Sequence, residues 1–240
     1  MPNIDPLTYI KSALARDYQA QIYRQKKPKP THESLVITLS RDYGALGEAV
    51  AEGLALALGI PLYDKEVLAL LARKAKADPL CFQTYDEQST DGIKGFFYSL
   101  VSGNAATLQE YRHYLGEALA ELARTDCIII GRGAHLVLTG PKVFRVRVVG
   151  SKAVCAQRIA SASNIALAEA EKQVFEVNHK RDKALVDMYG ETIKHCSLEQ
   201  ADTFDLVINT DRLSVDAAKD LILLALKALG HLADGAGRKA

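Results

Sequence analysis

The stretch Leu35-Val36-Ile37-Thr38-Leu39-Ser40-Arg41-Asp42-Tyr43-Gly44-Ala45-Leu46-Gly47-Glu48-Ala49-Val50 decides the fold. It opens on an apolar run of strand length, 35–39, that ends at Ser40. A turn bearing glycines follows, and then a helix-forming run from Ala49 to Leu58 stopped by Gly59. Strand, glycine turn and helix in this order form the opening unit of a phosphate-binding α/β fold, because the N–H groups at a helix start are free to meet an anion. A complete phosphate-binding loop has three needs: glycines that let consecutive N–H groups close on a phosphate, a lysine for the terminal phosphates, and a hydroxyl for magnesium. Gly44 and Gly47 supply part of the first. Counted back from the helix, Gly47 stands at the lysine place and Ala49 at the hydroxyl place, so the other two groups are missing. Taken alone, such a turn is as readily structural as functional.

The flanking sequence extends the pattern. Ile60-Pro61-Leu62-Tyr63-Asp64 reads as a second short strand closed by a carboxylate, and Lys65 to Lys76 as helical. Residues 77–108 hold no clear period and contain turn formers such as Asp91-Gly92 and Ser102-Gly103-Asn104, which suggests a mobile helical insertion. Leu108 to Arg124 is helical, Cys127 to Ile130 a buried-type strand, Val143 to Val149 another, and Ser151 to Ser161 a helix. Residues 165–200 are polar and mostly helical, Leu206 to Asn209 is the final strand, and Val215 to Leu229 the closing helix. Strands alternating with helices imply a parallel sheet with ligands at its carboxyl ends. On the other side, residues 6–24 read as a helix with Leu7, Ile10, Leu14 and Tyr18 broadly on one face. The prolines in Lys26-Lys27-Pro28-Lys29-Pro30 make the next stretch a linker. This arm is expected to pack on the core or on a second subunit; a basic tail for a partner is the lesser alternative.

Composition bounds the rest. The 240 residues are 48% hydrophobic and 25% charged, enough for one large α/β domain with a well-buried core. A formal charge of +1 gives no support for non-specific binding to nucleic acid or to an anionic membrane, so an anionic ligand must be held by a local basic cluster. Cys81, Cys127, Cys155 and Cys196 show no metal-ligand spacing, and Cys127 and Cys155 read as small buried hydrophobes. No apolar core of a signal peptide opens the chain, and no apolar run reaches the ~20 residues that span a bilayer. A cytoplasmic protein is expected.

After the apolar strand Ile128-Ile129-Ile130 comes Gly131-Arg132-Gly133, where a planar fork of donors leaves a strand end. Such an arginine reads as a phosphate ligand. From Leu35 to about Leu229 the chain resembles cytidylate kinase, and more closely the bacterial cytidylate-kinase-like proteins. The resemblance rests on Ser40-Arg41-Asp42-Tyr43-Gly44, on Leu58 to Glu66, on Ile129 to Ala134, on Lys180-Arg181-Asp182-Lys183 and on 204–210. It implies the three-layer α/β fold of the P-loop nucleoside monophosphate kinases, a parallel sheet flanked by helices with a helical insertion and a lid. Residues 1–33 are then an arm and linker, 34–232 the domain, with an acceptor insertion at about 64–108 and a lid at about 160–200, and 233–240 a tail.

Carried over position by position, the resemblance implies transfer of a phosphoryl group from ATP, with Mg²⁺, to a nucleoside monophosphate-like acceptor. Arg41, Gly44, Ala45, Leu46, Gly47, Glu48 and Ala49 would form the donor phosphate loop, with Arg41 standing in for the lysine, and Arg158 would lie near the donor nucleotide. Asp64, Gly131 and Arg132 would bind the acceptor. Lys180, Arg181 and Lys183 would form the lid, with Arg132, Arg181 and Lys183 acting on the transferring group. Four departures count. The lysine is Gly47, the neighbouring Glu48 is a carboxylate that repels a triphosphate unless it points away or holds magnesium, and Gly133 replaces the acid that follows Gly-Arg in cytidylate kinases. Ala184 to Val186 also lack the second lid arginine. Two other classes therefore stand beside the kinase: a non-catalytic nucleotide or phosphate binder, and an assembly protein joined through the arm. His135 reads as a local hydrogen-bonding residue, His179 and His195 as solvated residues on helical segments, and Phe96-Phe97-Tyr98 as core packing.

Overall fold

In the computed structural model, which describes residues 34–64, 66, 67, 70 and 108–232, strand β1 (Val36–Arg41) lies at the centre of a five-stranded sheet. Its companions are β2 (Leu62–Tyr63), β3 (Cys127–Ile130), β4 (Val143–Val149) and β5 (Leu206–Asn209), in the spatial order β2-β3-β1-β4-β5. Every pairing is parallel. The helices are α1 (Gly47–Leu58), α2 (Leu108–Leu122), α3 (Ala134–Val137), α4 (Lys152–Ser163), α5 (Leu167–Tyr189) and α6 (Val215–Ala228).

Strand alternation sorts side chains onto two faces. On one, Ile37, Leu39, Ile128, Ile130, Phe144, Val146, Val148 and Ile208 join Val50 and Leu54 of α1 and Ile222 and Leu226 of α6 in a single core. On the other, Val36, Cys127 and Ile129 pack with Leu115 and Leu119 of α2 and with Leu185, Met188 and Tyr189 of α5. These are the three layers that the alternating elements imply. Helix ends follow local chemistry: Ser151 and Ser214 accept hydrogen bonds from Val154 N and Ala217 N as N-caps, and Gly59 closes α1 at φ +66°.

Where element boundaries differ from the sequence reading, hydrogen bonding gives the reason. β1 runs two residues beyond Leu39, because Ser40 and Arg41 stay in register with Arg147 and Val148 of β4. β2 is shorter than 60–64, since Ile60 N donates to Ala55 O and so belongs to the end of α1. The segment after Arg132 contains the short α3, and α5 ends at Tyr189, so that His195 (φ +60°) lies in a turn rather than on a helix. Cys127, Cys155 and Cys196 are buried free thiols, and burial pushes Cys127 up to about 12 and Cys155 up to about 11. The helix at 6–24, the linker, the insertion with Phe96-Phe97-Tyr98 and Cys81, and the tail at 233–240 lie outside the described residues; the helix over 65–76 is described only at Glu66, Val67 and Leu70.

Candidate active site

At the carboxyl end of β1 the chain turns through Asp42–Leu46 into α1. Gly44 has φ +83°, and a Cβ there would lie 2.8 Å from Cys155 O, so the position admits only glycine. Leu46 also adopts the left-handed conformation, at φ 63°. The loop carbonyls are turned into the protein and are bound there. Arg41 O accepts from Arg181 Nη1 at 3.1 Å, Gly44 O from Arg158 Nη1 at 3.2 Å, and Ala45 O from Thr210 Oγ1 at 2.9 Å. The first N–H groups of α1, from Gly47 onward, stand outside the intrahelical ladder and are the donors such a loop offers to an anion.

The general pattern G-x-x-x-x-G-K-[ST] can be laid on this chain with Gly47 at the lysine. Arg41 then falls on the first glycine, and Glu48, directly after Gly47, on the magnesium hydroxyl. Ala49 is therefore not the hydroxyl place. The two substitutions meet in space. A Cβ added to Gly47 would lie 2.4 Å from Arg41 Cβ and 2.8 Å from Arg41 Cγ, far inside contact distance. Arg41 thus runs through the volume where a side chain at 47 would begin. Only 7% of its side chain is exposed, and Nε donates to Glu48 Oε1 at 2.8 Å. Glu48 neither points away nor meets the loop as a bare charge; Arg41 faces it.

Asp64 follows β2 and Arg132 follows β3, and these strands pair directly, with Tyr63 opposite Ile129. The fold therefore brings the two acceptor candidates to adjacent strand ends. Gly131, Arg132 and Gly133 have φ of +68°, +56° and +65°, three successive left-handed residues. For arginine this conformation costs about 1–2 kcal/mol, and strain of this kind concentrates at functional positions. Gly133 has a second constraint: a Cβ would sit 2.6 Å from Tyr189 Cε2 and 3.1 Å from Leu185 Cδ2. The end of α5 leaves no room for the acid of cytidylate kinases.

Helix α5 lies over the loop. Arg181 is buried on its inner face with Val174, Leu185, Met188 and Tyr189, and Asn178 Oδ1 accepts from Tyr43 N at 2.8 Å. Lys183 is on the outer face, half exposed, and pairs with Asp187 at 2.9 Å. The structure thus brings Arg181 to the loop and leaves Lys183 away from it, since residues two apart on a helix point in different directions. Lys180, adjacent to Arg181, is half-buried. Arg158 reaches the loop as expected of a donor-side residue, but its guanidinium is bound to main chain and hydroxyl: Gly44 O, Thr210 Oγ1 at 3.1 Å and Thr210 O at 2.6 Å.

Beside the loop is a polar patch that the sequence reading missed. Thr38 and Ser40 of β1 stand opposite Arg145 and Arg147 of β4 on one face of the sheet. Arg147 Nη2 donates to Asp42 Oδ1, and Ser40 Oγ lies 3.3 Å from His135 Nδ1. His135 stacks on Phe204 at 4.7 Å. Burial, then the charges of Arg147 and Arg145, lower its pKa to about 4, so the imidazole is neutral at pH 7. The signal available was the alternation Val143-Phe144-Arg145-Val146-Arg147-Val148, which puts both arginines on one face. Nothing in the sequence marked Asn178.

A parallel sheet in this order, with a glycine loop leading into α1, an arginine after β3 and a second on α5 bound to Arg41 O, defines a P-loop kinase-type domain. Residues 36–212 match the cytidylate kinase-like family, and the chain belongs to that family. Among solved structures, an uncharacterised protein from Eubacterium ventriosum is 21% identical with a TM-score of 0.59, covering 81% of this chain and 99% of its own; it shares the fold. Shikimate kinase from Acinetobacter baumannii, in complex with shikimate, is 21% identical with a TM-score of 0.44 (84% and 97% covered). A gluconokinase from Sinorhizobium meliloti is 13% identical with a TM-score of 0.43 (83% and 94% covered). No curated protein matches. Among the described residues, no helix is long and apolar enough to cross a membrane.

Two outcomes are expected from this geometry. Gly133→Asp, which introduces the acid that follows Gly-Arg in cytidylate kinases, lowers stability by about 2–4 kcal/mol, from the left-handed backbone and overpacking against Tyr189; an unchanged urea midpoint would remove that steric account. The folded pKa of His135, about 4, lies below its ordinary 6.5. The unfolded chain therefore takes up the proton first, and the stability due to neutral His135 is complete above pH ~6.5 and declines towards pH ~4. Denaturant titrations from pH 7 to 4.5 should show a loss on the order of 2 kcal/mol that is smaller in His135→Gln.

Proposed function

We propose that the chain is a nucleotide-dependent phosphotransferase that moves the terminal phosphoryl group of ATP to a nucleoside monophosphate-like acceptor. One observation carries this reading: Arg41 fills the space from which the loop lysine would start, so the missing cation is relocated by exchange and kept. A guanidinium supplies the charge of the ammonium together with a planar fork suited to phosphate oxygens. Phosphoryl transfer asks the protein mainly for positioning and positive charge. In this scheme Arg41 leaves Glu48 for the donor phosphates, Arg132 anchors the acceptor beside Asp64, and Arg181 answers the charge that develops between them. Arg158 supports the loop through its carbonyls, and Lys180 and Lys183 stay at the rim of the lid.

Mg²⁺ fits the residues present. It is commonly held by one or two carboxylates plus substrate phosphates, without a dedicated protein cage. Glu48 stands at the hydroxyl place with 48% of its side chain exposed, and among the described residues no cluster of three or more His, Cys, Asp or Glu forms such a cage. When bound with the nucleotide, the ion neutralises charge on the phosphates. A second reading, a binder without turnover, is favoured by the 2.8 Å pair itself, because Arg41 is already neutralised by Glu48.

Calorimetric titration with ATP and Mg²⁺ is expected to give a Kd tighter than about 1 mM, roughly −4 kcal/mol. Glu48→Gln removes this carboxylate from Arg41 and should tighten binding of ATP without Mg²⁺ by about three- to tenfold; no heat in either protein would end the phosphotransferase reading. With nucleoside monophosphates as acceptors, Arg132→Ala is expected to lower kcat/KM by ~2–4 kcal/mol of transition-state stabilisation. An unchanged rate removes Arg132 from the site, and tight binding with no transfer to any acceptor selects the second reading.

A further inference from the structure

On the β4 side of β1, away from Asp64 and Arg132, the end of β4, the middle of α5 and the turn at 198–204 enclose a cleft of about 340 Å³. That volume is within the ~300–1,000 Å³ of small-molecule sites. Asp42, Arg147, Lys152, Phe175, Asn178 and His179 are among its lining residues; neither Asp64 nor Arg132 is.

Three of its side chains hold hydrogen-bond donors in reserve. Arg147 is 6% exposed, gives Nη2 to Asp42 and Nε to Leu198 O at 3.3 Å, and has no hydrogen-bond partner for Nη1. A buried donor left unpaired costs free energy, so Arg147 is poised for an acceptor. Asn178 uses its oxygen on Tyr43 N, which leaves its NH₂. Lys152 makes no ion pair among the described residues, and its Nζ lies 5.5 Å from the Phe175 ring centroid. Two of the three acids of the cleft are engaged, Asp42 by Arg147, and Asp182 Oδ1 by Ser197 Oγ and Leu198 N, both at 2.7 Å; the third, Glu199, is exposed. Arg147, Asn178 and Lys152 are its open donors. Beside them is a flat wall, Phe175 stacked on His179 at 5.8 Å and 2°, with Phe175 56% exposed although it borders a cleft.

We propose that this cleft binds a small organic anion, with its phosphate or carboxylate oxygens on Arg147, Lys152 and Asn178 and its flat body against Phe175 and His179. Two contacts tie the occupant to the donor loop. Asp42 belongs to the loop, and Asn178 holds Tyr43 N, so a ligand here bears on the loop from the side opposite the acceptor strands. The site stands apart from the phosphoryl-transfer reading and does not require it.

The test titrates the full-length protein with phenyl phosphate and, separately, benzoate, by calorimetry, without ATP. At least one probe is expected to bind, and the stronger identifies phosphate or carboxylate as the anion. Lys152→Ala and Phe175→Ala, both at exposed positions, should each weaken it by about fivefold or more, and Arg147→Lys should abolish it, while Arg132→Ala leaves it unchanged. Loss of binding in Arg132→Ala with no effect of Lys152→Ala or Phe175→Ala would place the probe in the acceptor site and overturn the proposal. Failure of both probes to bind the folded wild-type protein at ~10 mM, a Kd weaker than the millimolar range of a specific site, would overturn it as well. Neither result depends on whether ATP binds or turns over.

Discussion

Arg41 and position 47 compete for one volume, and the architecture around the loop follows from how that competition is resolved. The Cβ that Gly47 lacks would fall 2.4 Å from Arg41 Cβ, so a side chain can occupy one position or the other but not both. With arginine at 41, glycine at 47 is a steric requirement rather than a decayed lysine. The cation still arrives at the start of α1, by way of the last residue of β1. It arrives with a partner, because a buried guanidinium needs its charge answered, and Glu48 at the start of the helix supplies the carboxylate. A carboxylate there is also favoured by the positive end of the helix dipole.

The same loop is fastened from three elements. Arg158 of α4, Arg181 of α5 and Thr210 after β5 each donate to a loop carbonyl. With these carbonyls bound inside the protein, the N–H groups at the start of α1 are the donors the loop leaves open. Two of the three fasteners are arginines, which a motif-based view assigns to nucleotide and lid. Each holds loop backbone, in a protein whose formal charge of +1 leaves no general positive field to hold an anionic ligand. The positive charge that meets the loop is therefore local and already partnered.

Helix α5 couples the two halves of the site. Its middle meets the loop through Asn178 and Arg181, and its end meets the Gly131-Arg132-Gly133 turn through Leu185 and Tyr189. This packing explains Gly133 on steric grounds. On the far side of β1 the sheet face turns polar, and Arg147 ties Asp42 of the loop to the segment after α5. Loop, α5 and polar face are thus joined by hydrogen bonds.

The local patterns in the chain determined much of this. Runs such as the apolar 127–130 and the alternating 143–149 made strands at the expected places, since β-branched residues on a covered sheet leave little choice, and the glycine turn between 39 and 49 marked the candidate site. The ordered motifs were enough to place the family. What the sequence could not show was which side chains share a volume. Arg41 and Gly47 are six positions apart and meet only because the loop doubles back; Gly133 is constrained by Tyr189, 56 residues on. Lys183 and Arg181 looked equivalent in a basic run, and the helix phase of α5 separated them. Asn178 and Arg147 acquired their roles through contacts across elements. Local propensity and hydrophobic period are written in neighbouring residues, whereas steric exclusion, hydrogen-bond partnership and burial of charge are properties of distances that exist only once the chain has packed.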